Sequence, residues 1–146
     1  MRVYLDMCCF NRPYDDQSQM KVALEAQSKL HIQAMIAAGE LDLVGSYTLD
    51  YECGNNPYEM RRKAIQQFVK THMKYYVGPE RAALIEEKAR PIMLTGIKEK
   101  DALHLAAAIY AECAFFISTD KRLLRYQTEE IRLVTPVEFI AETEGD

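Results

Sequence analysis

Four acidic residues stand where chemistry could be done. Asp6 closes the apolar run "VYLD", Asp120 follows "FFIST", Asp101 opens "KEKDALHLAAA", and Glu52 ends "SYTLDYE". No turn residue separates Leu5 from Asp6, so a run suited to a sheet interior ends directly on a carboxylate. That group is costly to desolvate unless something positive meets it. Several carboxylates in one cleft also repel one another, and their pKa values rise unless a cation compensates. Mg²⁺ and Mn²⁺ are hard ions that prefer carboxylate and water oxygens, and they suit an all-oxygen cluster. Such an ion activates a water and neutralises charge on a phosphodiester during in-line attack.

Each of these acids also has a plain structural reading. Asp6 can be a strand-end turn residue, Asp101 can complement the dipole at the start of its helix, and Asp120 can cap the helix beginning at Lys121. The cap role of Asp120 is compatible with metal binding, because one oxygen caps while the other ligates. Glu52 competes with Asp50, which reads as a first-turn helix acid. His104 lies one turn after Asp101 on the same helix face and reads as a satisfied, partly buried polar group rather than a ligand. Ser118 is placed to hydrogen-bond an acid. Cys8 and Cys9 have no histidine nearby in sequence, and burial is their expected role. Asp15 and Asp16 read as turn and cap residues.

The elements that must position these groups follow from periodicity. A first strand ends at Leu5. A helix capped by Asp16 runs through the apolar positions from Met20 to Ala38 and stops at Gly39. Leu41–Gly45 reads as a second strand, Tyr47–Cys53 as a short helix, and Glu59–Lys74 as a long polar helix. Tyr75–Val77 is a third strand, and Pro79 starts a helix reaching about Ala89. A helix over Lys98 to about Glu112 precedes the apolar strand Ala114–Ser118. A short helix over Lys121–Tyr126, a strand over Ile131–Thr135 and a terminal helix "PVEFIAE" complete the chain. Strands alternating with helices, without hairpin signals, predict an α/β fold with a mostly parallel sheet in three layers. In such folds ligands bind beyond the carboxyl ends of the strands, which is where Asp6 and Asp120 fall.

Composition sets the outer limits. The 146 residues, 49% hydrophobic and 27% charged, suit one globular domain over residues 1–146. No apolar run approaches the roughly 20 residues a membrane helix needs, and Asp6 and Arg12 interrupt any signal-peptide core. Cys8, Cys9, Cys53 and Cys113 form no CxxC pair, which argues against a structural zinc site and suits reduced thiols in a cytoplasmic protein. The formal net charge of −4 matches the four candidate acids, so the remainder sums to zero. Four further acids (Glu138, Glu142, Glu144, Asp146) crowd the last nine residues, leaving the rest mildly basic. That balance is compatible with RNA binding but not with a strong non-specific grip on phosphates. "MRRKAIQQFVKTHMKYY" carries five Lys and Arg residues and no acid, and reads equally as an RNA-facing surface or a solvated helix face.

The order of acids resembles the PIN-domain family, the metal-dependent ribonucleases that include VapC-type toxins of toxin–antitoxin pairs. "VYLD" resembles the first strand and first acid of that family, at Asp6. "SYTLDYE" places the second at Glu52, "KEKDALHLAAA" the third at Asp101, and "FISTDKRL" the fourth at Asp120, with Ser118 at the usual Ser/Thr position. The resemblance spans nearly the whole chain. It implies an α/β/α sandwich around a parallel sheet, Mg²⁺ or Mn²⁺ as cofactor, and RNA cleavage by a metal-activated water. As partners beside RNA it implies an antitoxin protein and, as in many relatives, a second copy of the chain. The chain departs from the family at Met7 and Cys8, where many members carry a small hydroxyl residue; Asn11 and Arg12 are the residues that could supply the missing polar contacts. That departure motivates the alternative of a PIN-like domain that binds RNA or protein with little catalysis. A different Mg²⁺ phosphate enzyme fits less well. The second Asp of phosphatase-type sites is replaced by Cys8, and the paired acids of receiver domains are missing.

Overall fold

The computed structural model describes residues 1–11 and 19–144, with Asn11 described by its backbone alone. The expected helix cap Asp16, the supporting Arg12 and the side chain of Asn11 lie outside the described residues.

Among the described residues five strands make one sheet: β1 (Arg2–Leu5), β2 (Asp42–Ser46), β3 (Met73–Val77), β4 (Phe115–Ile117) and β5 (Arg132–Val134). Their order is β3-β2-β1-β4-β5, and every pairing is parallel. The expected mostly parallel sheet is therefore wholly parallel. Parallel pairing needs crossovers, and these are helices: α1 (Met7–Asn11), α2 (Met20–Ala37), α3 (Tyr47–Gly54), α4 (Glu59–His72), α5 (Ala82–Met93), α6 (Glu99–Tyr110), α7 (Lys121–Leu124) and α8 (Pro136–Glu144).

Alternation along the strands divides the core. Val3, Leu5, Leu43 and Ile117 face a layer holding Ile32 and Ile36 of α2, Ile65 and Val69 of α4, and Phe139 of α8. Tyr4, Val44 and Phe116 face the other layer, built from Ile85, Ala89 and Ile92 of α5 and the alanines of α6. Small side chains on α6 let that helix lie close to the sheet. Each fully buried aliphatic or aromatic residue here contributes roughly 1.5–3 kcal/mol. Lys29 of α2 is the exception in the first layer. It is fully buried, its ammonium lies 4.3 Å from the Phe10 ring centroid, and it has no hydrogen-bond partner among the described residues. Burial lowers it to about 7, against an ordinary 10.5.

Several boundaries differ from expectation for local reasons. α4 stops at His72 because Met73 and Tyr75 already pair with Leu43 and Val44, so β3 begins two residues early. Pro79–Arg81 is a 3₁₀ turn, after which α5 runs past Ala89 to Met93 because Ile92 still reaches the core. α6 ends at Tyr110 because Glu112 takes a left-handed conformation, φ 59°. Gly39 ends α2 in the same way at φ 81°. The short helix α1 was not expected at all. Its only polar signal is Asp6, whose Oδ1 accepts from the Met7 amide at 2.8 Å while its carbonyl accepts from Cys9 N at 2.9 Å.

Parallel strands end on one edge. Leu5 and Ile117 are register partners, so Asp6 and Ser118 leave the sheet side by side, and Ser46 ends the neighbouring β2. The sheet changes winding direction at β1, which opens a crevice at that edge.

Candidate functional site

Asp6 is 5% exposed. Its Oδ2 accepts from Ser118 Oγ at 2.8 Å and from Cys8 Sγ at 3.4 Å. Ser118 thus hydrogen-bonds an acid, as its position suggested. Cys8 does more than fill space. Standing two residues after Asp6, it supplies a thiol contact at the position where the resembled family carries a hydroxyl, and Thr119 N donates to its sulfur at 3.4 Å. The Asp6 carboxyl is raised to about 8, by burial first and then by the neighbouring Cys8 and Glu52, against lowering by His104 and Ser118.

Glu52 reaches the same space from α3, which Ser46 caps by accepting from Leu49 N at 3.0 Å. His104 Nε2 lies 2.7 Å from Glu52 Oε1, and Lys100 Nζ lies 3.1 Å from Oε2. Burial pushes Glu52 up, but the His104 hydrogen bond and the charges of His104 and Lys100 outweigh it and hold the carboxyl below its ordinary value. Asp50 faces elsewhere and accepts from Tyr76 Oη at 2.7 Å. Glu52, not Asp50, therefore belongs to the cluster.

His104 is fully buried and satisfied at both nitrogens. Its Nδ1 lies 2.5 Å from Tyr4 Oη, which lies 2.7 Å from Ser46 Oγ. In the neutral ring, Nε2–H donates to Glu52, Nδ1 accepts from Tyr4, and the Tyr4 oxygen accepts from Ser46. Phe116 stacks on Tyr4 at 5.3 Å and fixes its ring. A polar chain Ser46–Tyr4–His104–Glu52 thus crosses the second core layer and ends at the cluster. Sequence reasoning did not find this chain. The available signals were a tyrosine in an otherwise apolar strand and a histidine among alanines, each of which needs a partner when buried.

Asp6, Glu52 and His104 can bring one ligand atom each within 4.8 Å of one another. His104 has both nitrogens engaged, so the oxygens of Asp6 and Glu52 are the donors of that set. Asp101 and Asp120 line the adjoining cleft with Lys98, Arg122 and Arg125. Asp101 stands in the first turn of α6 and is half-buried; burial and then the charge of Asp120 raise it, with Glu52 adding to the effect. Asp120 caps α7, its Oδ1 accepting from Arg122 N at 3.0 Å and Leu123 N at 3.4 Å. Its backbone N donates to Ser118 Oγ at 3.0 Å, which ties the two halves of the cluster through one hydroxyl. The basic stretch of α4 contributes Arg61 to another cleft, which Glu52 also lines.

The donor set suits a hard divalent cation: the carboxylates of Asp6 and Asp101 are both raised, chiefly by burial, the first also by Cys8 and Glu52 and the second by Asp120 and Glu52. No described helix is long and apolar enough to cross a membrane. All four cysteines are free thiols.

No protein-family model and no curated protein sequence matches the chain. Solved structures do match. VapBC2 from Rickettsia felis, bound to a DNA fragment from its promoter, aligns over 91% of this chain and 97% of its own, at 11% identity and TM-score 0.58. FitAcB from Neisseria gonorrhoeae aligns over 92% and 98%, at 12% identity and TM-score 0.56. FitAB bound to an IR36 DNA fragment aligns over 92% and 94%, at 15% identity and TM-score 0.59. At these identities the likeness is one of fold: an α/β layered architecture with an all-parallel five-stranded sheet, PIN-like in arrangement.

Proposed function

We propose that this chain is a Mg²⁺- or Mn²⁺-dependent endoribonuclease of a single PIN-like domain, with Asp6, Glu52, Asp101 and Asp120 around the metal. What supports the reading is that Asp6, which is buried, and Glu52, from a separate segment, bring carboxylate oxygens within 4.8 Å of each other, beside a cleft lined by Asp101 and Asp120. Asp6 and Asp101 are the direct ligands, and Glu52 and Asp120 act directly or through bound waters. The ion would supply an activated water and charge neutralisation at the scissile phosphodiester.

The chain's own residues account for the rest. Ser118 and Cys8 aim the Asp6 carboxylate, and His104 aims that of Glu52, so the oxygens are fixed before an ion arrives. Lys98, Arg122 and Arg125 line the cleft beside Asp101 and Asp120, where they can meet the phosphates of an RNA strand and hold its register. The fold likeness to VapBC2 and FitAB supports a toxin partnered by an antitoxin protein, and the free thiols support a cytoplasmic location. A homodimer is a further proposal from the resembled family.

A second reading has one observation in its favour. Lys100 already pairs with Glu52, so an ammonium supplies part of the compensation that an ion would. In that reading the domain binds RNA or protein with little catalysis. Incubating a mixed RNA pool with Mn²⁺, Mg²⁺ or chelator separates the two. The nuclease reading expects divalent-dependent fragments from the wild type and a loss of more than about a hundredfold in Asp6→Asn, beyond what outer partners contribute. Undiminished cleavage by that variant would refute the site assignment.

A further inference from the structure

A cleft of about 260 Å³ adjoins the acid cluster and shares Glu52 with it. Asn55, Asn56, Tyr58 and Arg61 line its far side. Tyr58 is 60% exposed, a large ring left in solvent at the start of α4. The Arg61 guanidinium carbon lies 4.5 Å from its ring centroid, so ring and guanidinium form a two-tier planar surface.

The loop that presents this surface is built rather than loose. Asn55 N donates to Glu52 O at 3.2 Å and Asn56 N to Cys53 O at 3.0 Å. Tyr58 N donates to Asn56 Oδ1 at 3.0 Å, and Arg62 Nη1 donates to Asn56 O at 3.2 Å. The backbone that carries the ring is therefore held in place before any ligand arrives, which lowers the ordering cost of binding. Asn55 on the lining carries a side-chain amide of the kind that reads a base edge.

The two flanks of the acid cluster differ in chemistry. The cleft at Asp101 and Asp120 is lined by Lys98, Arg122 and Arg125, groups suited to phosphates. The cleft at Glu52 carries a planar aromatic–guanidinium surface, on which unstacked bases settle.

We propose that the cleft formed by Asn55, Asn56, Tyr58 and Arg61 is a nucleobase subsite for single-stranded RNA, with Tyr58 and Arg61 as its stacking platform. The inference deepens the nuclease reading by naming where the strand lies, and it rests on that reading for the strand's being cut. A base seated there places its own backbone across Glu52 toward the basic flank. Duplex RNA, whose bases are stacked within the helix, does not enter.

The test is binding in chelator, where no cleavage complicates it, using a short fluorescein-labelled single-stranded RNA of mixed sequence. Tyr58→Ala is expected to weaken binding roughly five- to 150-fold, the loss reported by removing one stacking aromatic. Tyr58→Phe keeps the ring face and is expected to bind as the wild type does. The chain contains no tryptophan, so Tyr58→Trp introduces a single indole whose emission is expected to fall on adding this RNA and to stay constant on adding its duplex. Thermal unfolding of each variant monitors the fold. Wild-type-like binding by Tyr58→Ala, an indole signal unmoved by the single strand, or absence of wild-type binding overturns the proposal. The outcome is separable from the nuclease reading, because failure of Asp6→Asn to abolish cleavage leaves these binding results unchanged.

Discussion

The two halves of the acid cluster are held by different means. Asp6 and Glu52 are braced from inside the protein, the first by Ser118 and Cys8, the second by the buried chain through His104 and Tyr4 to Ser46. Asp101 and Asp120 stand at helix starts and line a cleft; Asp120 is held by capping α7, whereas Asp101, in the first turn of α6, meets burial and the charge of Asp120. The inner half is thus part of the folding problem, whereas the outer half is decoration on helix termini. Substitutions in the first should disturb stability and activity together. Substitutions in the second should separate them.

The largest expected effect comes from His104→Ala. It strips Tyr4 Oη and Glu52 Oε1 of their shared partner and opens a cavity between α6 and the sheet. Denaturant unfolding should show a loss of about 3 kcal/mol or more. A loss below about 1 kcal/mol, within the range of an ordinary hydrogen bond, would mean that the polar chain is not holding the inner half.

Tyr4→Phe is the gentler cut through the same chain. It keeps the stacking on Phe116 but leaves His104 Nδ1 without its donor, and should cost about 1–3 kcal/mol. The same variant should weaken divalent binding, because Glu52 is aimed through His104.

Asp120 sharpens the contrast from the outer side. Asp120→Asn retains a capping oxygen for Arg122 N and Leu123 N, so its melting curve should overlay the wild type while divalent-dependent cleavage falls. Asp120→Ala removes the cap as well and should cost about 1 kcal/mol. If both variants lose stability equally, the cap is not what holds Asp120.

The inner half also sets a dependence on pH. The Asp6 carboxyl is raised from 3.8 to about 8, burial being the main cause. Between those values the folded state holds a proton that the unfolded state has released. The contribution of Asp6 is therefore full below 3.8 and is lost as pH climbs toward about 8. In chelator the melting temperature should decline over that window, and Asp6→Asn should flatten the decline. Added Mn²⁺ should restore stability most strongly at the upper end, where the carboxylate is already ionised.

Much of this architecture was legible in the sequence because the relevant signals are local. The strand "AFFIS" is apolar throughout, the alanine-rich repeat in α6 has a clear helical face, and parallel α/β topology then brings the ends of β1 and β4 to one edge. Asp6 and Asp120 stood out because each follows an apolar strand, whereas Glu52, inside α3, and Asp101, in the first turn of α6, were picked out by the order of acids in the resembled family. What escaped was of two kinds. α1 is five residues of "MCCFN" without periodicity, and its start is encoded only by Asp6, a residue with another apparent purpose. The Ser46–Tyr4–His104–Glu52 chain joins residues 42 to 100 positions apart, so no window of sequence contains it. Cys8 was read as a buried filler because its contact with Asp6, two residues earlier, depends on the turn of α1, which the sequence did not signal.

The most direct measurement of the central claim is a calorimetric Mn²⁺ titration of the wild-type chain and of Asp6→Asn, both checked for folding by circular dichroism. Wild type should bind Mn²⁺ at millimolar metal or below with release of protons at neutral pH, and Asp6→Asn should give only heats of dilution. Equal isotherms from the two proteins, or no Mn²⁺ binding by either, would contradict the idea that these carboxylates exist to hold an ion.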